Sequence, residues 1–256
     1  MSLLKAIIKA VAPAPDITKF SRFLFIGPHP DDIEIGAGAT AARLAAEGKD
    51  VRFLVCIDGR FGTSNCSFTP EKLVSIRKKE AESSAEFLGI KDFRMLDGFS
   101  DGALYDTTEL LHAIAKEIGE YNPDIVFCPD PAVSSECHAD HLNVGSAVRQ
   151  IACFAPYKGI MEAYGAKSAD VKAVAFYMTA KANQFINTTG YLDKQLDSVF
   201  KIHLSQFPKG CDDAKMISLY LKLRAYDYGI RKFCRTAEGF RVLGATQMHC
   251  LPEFGD

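Results

Sequence analysis

The chain has 256 residues, 48% of them hydrophobic and 24% charged, with a formal net charge of -2 at pH 7. This is the composition of an ordinary globular protein large enough for one sizeable core, and the near-neutral balance excludes the basic footprint that binding to nucleic acid requires. The eight cysteines are scattered without a C-x-x-C pair, several inside apolar runs such as "VRFLVCID" and "DIVFCPD", which predicts buried reduced thiols in a cytoplasmic protein rather than disulfides.

In chain order, "MSLLKAIIKAVAP" is too short to span a bilayer and is interrupted by Lys5 and Lys9. It predicts an amphipathic N-terminal helix and lead-in over residues 1–20. No other stretch approaches transmembrane length, so no stable membrane insertion is expected. The runs "RFLFIG", "VRFLVCID", "DFRMLD", "DIVFC" and "VKAVAFYMT" are rich in Val, Ile and Phe and read as strands. Helical segments over residues 38–47, 70–88 and 107–120, and one starting near His138, lie between them. Alternating β and α predicts a Rossmann-like three-layer α/β/α fold with a mainly parallel sheet. With no repeat, low-complexity tract or long linker, residues 1–256 read as a single domain. The oligomeric state stays open, a homo-oligomer included.

Open parallel sheets form their sites beyond the carboxyl ends of the strands, and "GPHPDDIEIGAG" follows the first strand directly. His29, Asp31 and Asp32 are compressed into a turn fixed by Pro30. Two adjacent carboxylates repel unless a cation is present or one takes a proton, which points to a metal. Alternatively one Asp caps the following helix, although capping needs neither the second Asp nor His29. Asp58, Asp97 and Asp130 also follow strand-like runs and read as turn and cap residues. Glu34 is assigned no role.

The second cluster is "ECHADHLNVGSAVRQ". In a helix starting near His138, His138 and His141 share the core-facing stripe of Gly145, Val148 and Ala152. They read either as satisfied core histidines or as metal ligands. One His and one Asp from the first turn plus one His from this helix make three N and O donors with a fourth position open for water, the pattern of catalytic zinc. Cys137 is a further, less favoured thiolate donor. Arg77 falls on the stripe of Leu73, Ala81, Ala85 and Leu88, where it needs an ion-pair partner, a path to solvent, or a ligand. His112 reads as a surface residue, and His203 and His249 have no clustered partners.

These motifs resemble the LmbE-like, or PIG-L-like, zinc-dependent de-N-acetylases. The likeness runs over nearly the whole chain, from "PHPDDIEIGAGAT" through "RKKEAESSAEFLG" and "HADH" to Ser205-Gln206 and "AEGF" at 237–240. The resemblance implies one Zn2+ per chain, or another divalent metal, on His29, Asp32 and His141. It implies Asp31 as general base, His138 as acid that stabilises the oxyanion, Asp140 orienting His138, and Arg77 reaching the substrate. The implied reaction removes the acetyl group from a small N-acetylated amino sugar, an N-acetylglucosaminyl conjugate. The rivals are a nucleotide-binding module using Gly36 and Gly38, a single-metal phosphoesterase, and a non-catalytic zinc protein.

Overall fold

A computed structural model describes residues 3–63 and 68–251. Cys66 lies outside the described residues, as does the side chain of Cys250; the other six cysteines are free, and Cys56 and Cys128 are buried. The N-terminal segment forms a helix, α1 (Leu3–Val11). Seven strands follow: β1 (Arg22–Gly27), β2 (Asp50–Val55), β3 (Asp92–Met95), β4 (Ile125–Pro129), β5 (Ala173–Tyr177), β6 (Gln184–Asn187) and β7 (Ala237–Gly244). Their order in the sheet is β3-β2-β1-β4-β5-β7-β6. The first five are parallel, and β7 runs antiparallel to both β5 and β6.

Strand alternation builds two apolar layers, because successive side chains point to opposite faces. Leu24 and Ile26 of β1 enter one core with α4 (Thr107–Tyr121) and α5 (Ala139–Phe154). Phe23 and Phe25 enter the other with α2 (Asp32–Ala46) and α3 (Pro70–Leu88). The expected three-layer α/β/α architecture with a mainly parallel sheet is the one observed. Local chemistry sets the helix ends: Thr69 caps α3 before Pro70, Gly89 closes it in the left-handed conformation, and Asp106 caps α4. Among the described residues no helix is long and apolar enough to cross a membrane.

Two features of the sheet were not anticipated. β6 is short and half-buried, and β7 carries Glu238 and Arg241 inside an otherwise buried strand, which breaks the apolar run that marks a strand in sequence. Each charge is matched: Arg241 pairs with Asp130, and Glu238 accepts from the backbone N–H groups of Ala39 and Thr40 at 3.3 and 2.7 Å.

That second contact lies where the helical segment expected over 38–47 begins, and it disposes of the nucleotide-binding reading. α2 begins at Asp32, six residues before position 38, and is kinked at Ala37, which has non-helical φ and ψ. The amides freed at the kink are taken by the chain's own Glu238 carboxyl, so no phosphate cradle is left there. The glycines serve packing instead. A Cβ on Gly36 would lie 2.2 Å from the ring of Tyr177.

Burial raises the Glu238 pKa to about 7, against the lowering effect of the Thr40 and Ala39 contacts. The folded state therefore holds a proton that the unfolded chain releases near pH 4.5, and stability falls as pH rises from about 4.5 to about 7. At roughly 1.4 kcal/mol per unit the loss reaches about 3 kcal/mol. Urea denaturation at pH 5 and pH 8 should show this loss in the wild type and a much flatter response in Glu238→Gln. Equal pH dependence in both would remove Glu238 as the source.

Candidate active site

The sheet reverses its winding between β1 and β4, and the two motifs stand at the carboxyl ends of those neighbouring strands, where an open α/β sheet leaves a crevice. From β1 the chain turns through His29 and Pro30 into α2. Asp31 occupies the turn with φ 126°, a conformation that costs a non-glycine residue about 1–3 kcal/mol. It stands at the N-cap position of α2, yet its side chain makes no capping hydrogen bond. Helix capping therefore does not explain it.

One oxygen of the buried Asp32 is the focus of the site. Its Oδ2 accepts from the His29 backbone N–H at 2.9 Å and lies 3.1 Å from His29 Nδ1 and 3.4 Å from His141 Nε2. Each imidazole is held from behind by a second carboxylate. His29 Nε2 meets Asp140 Oδ2 at 3.0 Å, and His141 Nδ1 meets Glu136 Oε2 at 3.0 Å. Asp140 is fully buried and is itself fixed by the N–H groups of Gly102 and Ala103 and the Tyr105 hydroxyl, at 2.8, 2.8 and 2.9 Å. The Asp140 carboxylate thus faces His29, and its approach to His138 Nδ1 is only 3.7 Å.

α5 starts at Ala139, with His138 as its N-cap. His138 Nδ1 accepts from the Asp140 N–H at 3.3 Å, which leaves Nε2 as its free nitrogen. Standing ahead of the first helical turn, His138 is exposed, so the core-histidine reading fails for it; His141 is half-buried with both ring nitrogens partnered, and Gly145, Val148 and Ala152 face the core. The three imidazoles, His29, His138 and His141, present ring nitrogens within 4.8 Å of one another. Cys137 is exposed, its Sγ directed at the Ser135 carbonyl.

Arg77 is buried on α3, as its stripe predicted. It donates to the carbonyls of Gly59 and Pro30 at 3.1 and 2.9 Å and pairs with Asp31 Oδ2 at 3.4 Å. Its guanidinium thus holds the strained turn from outside. The close approach depends on glycine at two points: a Cβ on Gly59 or Gly62 would lie 2.5 or 2.2 Å from Arg77 Nη1.

Electrostatics separates the two adjacent aspartates. Burial raises the pKa of Asp31, with the Asp32 charge adding to it and Arg77 opposing it. Asp32 is buried as well, yet the His141 and His29 imidazoles drive it well below the ordinary carboxylate value. Desolvation opposes the charging of His29, but Asp140 and Asp32 carry its pKa up to about 10; in the same way Asp32 and Glu136 raise His141 to about 9. His138 is lowered by desolvation and by the charges of His29 and His141.

The donor set fits a tetrahedral divalent ion. Bonds of about 2.0–2.2 Å to imidazole nitrogen and carboxylate oxygen place neighbouring donors roughly 3.3–3.5 Å apart, close to the 3.1 and 3.4 Å found around Asp32 Oδ2. A carboxylate behind each imidazole, fixing its orientation, is the usual support of a histidine metal ligand.

A cleft of about 340 Å3 opens over these groups. Its lining includes Asp101 and Gln206, whose buried Oδ1 and Oε1 have no hydrogen-bond partner among the described residues. Ser205 donates through its N–H and hydroxyl to the two Glu80 oxygens at 2.9 and 2.5 Å. Glu80, in the "RKKEAESSAEFLG" stretch, and Ser205-Gln206 thus form one contact that brings Gln206 to the cleft. Glu34 and His203 form a buried pair at 3.1 Å beneath the site. Asp58 binds Arg60, Asp130 binds Arg241 and Thr179, and Asp97 is exposed, in keeping with turn residues. His112, expected at the surface, is half-buried against Tyr164.

At the winding reversal of a doubly wound α/β sheet, two imidazoles and a carboxylate converge in an arrangement that could hold a metal ion. The chain belongs to the PIG-L family: the family model described as GlcNAc-PI de-N-acetylase matches residues 24–152. It is 34% identical over 253 residues to the diacetylchitobiose deacetylase of Thermococcus kodakarensis, covering 98% of this chain and 92% of that protein. It is 31% identical over 201 residues to a probable N-acetyl-alpha-D-glucosaminyl L-malate deacetylase 2 of Bacillus anthracis, covering 72% and 80%. The solved N,N'-diacetylchitobiose deacetylase of Pyrococcus horikoshii superposes with a TM-score of 0.86 at 28% identity, covering 98% of this chain and 97% of that one.

Proposed function

We propose that the chain, acting as one domain over residues 1–256, removes the acetyl group from a small soluble N-acetylglucosaminyl conjugate with the help of one zinc ion. The observation that carries this is the single Asp32 oxygen set 3.1 and 3.4 Å from the inward nitrogens of His29 and His141. Those three residues would hold the ion, with Asp140 and Glu136 positioning the imidazoles. When bound, zinc supplies a Lewis acid for the acetamide carbonyl and lowers the pKa of a water nucleophile.

The remaining chemistry falls to the chain. Asp31, a carboxylate of raised pKa beside the ligands, accepts the proton of the attacking water. The water oxygen bonds to the acyl carbon, the C–N bond breaks, and the proton passes to the departing amine, leaving acetate. His138, fixed through Nδ1 at the cleft mouth, turns Nε2 to the carbonyl oxygen as charge builds on it. Buried reduced thiols at Cys56 and Cys128 support a cytoplasmic setting.

Soluble N-acetylglucosaminides, diacetylchitobiose among them, should release acetate in a chelator-sensitive reaction. A broad panel that gives none with metal-loaded protein, while a phosphomonoester is hydrolysed, would overturn the reading. Arg77→Ala should keep its metal and lose roughly ten- to a hundred-fold in kcat/KM, the scale of a lost charge-assisted hydrogen bond. Wild-type kcat/KM in that variant would place Arg77 outside the working site.

A further inference from the structure

The first turn of α2 is a short piece of helix with a break on either side. Asp31 precedes it with φ 126°, and the helix is kinked at Ala37. Only Asp32 to Gly36 lie between, too little helix to hold its own direction, since a single turn makes too few hydrogen bonds to offset the backbone order it needs. The direction of that turn decides where the carboxylates of Asp31 and Asp32 face, and it is set from outside.

On one side Arg77 donates to the Pro30 carbonyl and pairs with Asp31. On the other side stands the segment 195–207. Gln195, from the helical stretch Leu192–Asp197, donates through Nε2 to the carbonyls of Glu34 and Ile35 at 2.8 and 3.2 Å. His203 Nε2 meets Glu34 Oε1 at 3.1 Å, and the two residues are 1 and 3% exposed. The His203 carbonyl accepts from the N–H groups of Phe207 and Gln206 at 2.8 and 3.3 Å, and both of these residues line the cleft. Ser205 is tied to Glu80, one turn beyond Arg77 on α3. The contacts close a ring: Asp31 to Arg77, along α3 to Glu80, across to Ser205 and His203, and back through Glu34 to the first turn of α2.

Stability alone does not account for the buried pair in this ring. Desolvation opposes the charging of His203, while Glu34, Asp31 and Glu80 raise its pKa, and its Nδ1 has no hydrogen-bond partner among the described residues. A buried ion pair that leaves a polar atom unpaired is commonly no more stable than packed apolar residues of similar volume. What such a pair fixes is direction.

We propose that Glu34 and His203 are positioning residues of the reaction, a clasp that holds the first turn of α2 so that the Asp31 carboxylate faces the attacking water. This rests on Asp31 acting as the general base. Asp32 depends less on the clasp, because the His29 N–H and the His29 and His141 rings also meet its Oδ2.

Glu34→Leu combined with His203→Leu should leave the urea midpoint of the full chain unchanged or higher and should still bind a full equivalent of metal. The kcat for acetate release should fall roughly 100-fold with KM within about two-fold, the scale of a misplaced catalytic group. In the Asp31→Asn background the same two changes should cost under about two-fold more, because the group they position is gone. His203→Gln, whose amide presents a donor where Nε2 stands, should recover most of the rate lost in His203→Leu. Amide hydrogen exchange should quicken in the peptide spanning 29–36 of the double variant, a readout that needs no substrate. Should the double variant fail to fold, Glu34→Gln and His203→Gln carry the same readouts. Unchanged exchange over 29–36, an equal loss of rate in the Asp31→Asn background, or a His203→Gln variant as slow as His203→Leu would overturn the proposal. A wild type that releases no acetate, with exchange still quickened in the variant, would overturn the deacetylase reading and support the clasp.

Discussion

Asp31→Asn should retain a full equivalent of metal and lose acetate release by roughly 100-fold or more, the contribution of a well-placed general base. Asn is isosteric and, like Asp, tolerates positive φ better than most residues, so the turn at φ 126° survives the change. Arg77 still donates to the Pro30 and Gly59 carbonyls and keeps the turn in place. What disappears is the site that accepts a proton. Activity of the wild type should fall on the acid side as Asp31, whose pKa burial raises, becomes protonated, and the residual activity of Asp31→Asn should lack that limb. A variant as active as the wild type would mean that another group takes the proton.

His141→Ala should lose both metal and turnover, and Asp32→Asn should do the same. These residues meet at a single point, Asp32 Oδ2 with His141 Nε2 at 3.4 Å. The informative control is Glu136→Gln, which leaves His141 in place and removes only the charge behind its Nδ1. Loss of such a support weakens metal binding about 10- to 100-fold, so the ligand variants should exceed that range in a competitive chelator titration and the control should stay within it. Equal losses in Glu136→Gln and His141→Ala would remove the distinction between ligand and support. Full metal content in His141→Ala would exclude it as a ligand.

The five parallel strands, the layered fold and the two histidine motifs could be read from the sequence because their signals are local: apolar runs of strand length, and His and Asp packed within a few residues. The same locality explains what was missed. His203 and Glu34 are 169 residues apart, and no spacing rule pairs them. The family resemblance implies Asp140 orienting His138, whereas the carboxylate lies 3.0 Å from His29, a partner 111 residues away, and 3.7 Å from His138 Nδ1. Glu136 stood within the same short stretch, and its role depends on α5 starting one residue after His138. β7 was recognised only as a four-residue motif, since its two charges hide an eight-residue buried strand.

The pairing of β1 with β4 also governs the order in which the molecule can assemble. Phe23, Leu24 and Phe25 are in register with Ile125, Val126 and Phe127, so about a hundred residues must be gathered into a closed loop before the two strands touch. Contacts of such long sequence separation form slowly. His29 and Asp32 lie on one side of that closure and His141 on the other, so before it forms these three side chains are not gathered around one point. A metal held by all three would therefore bind after β4 docks against β1 and would lock an already formed sheet instead of nucleating it.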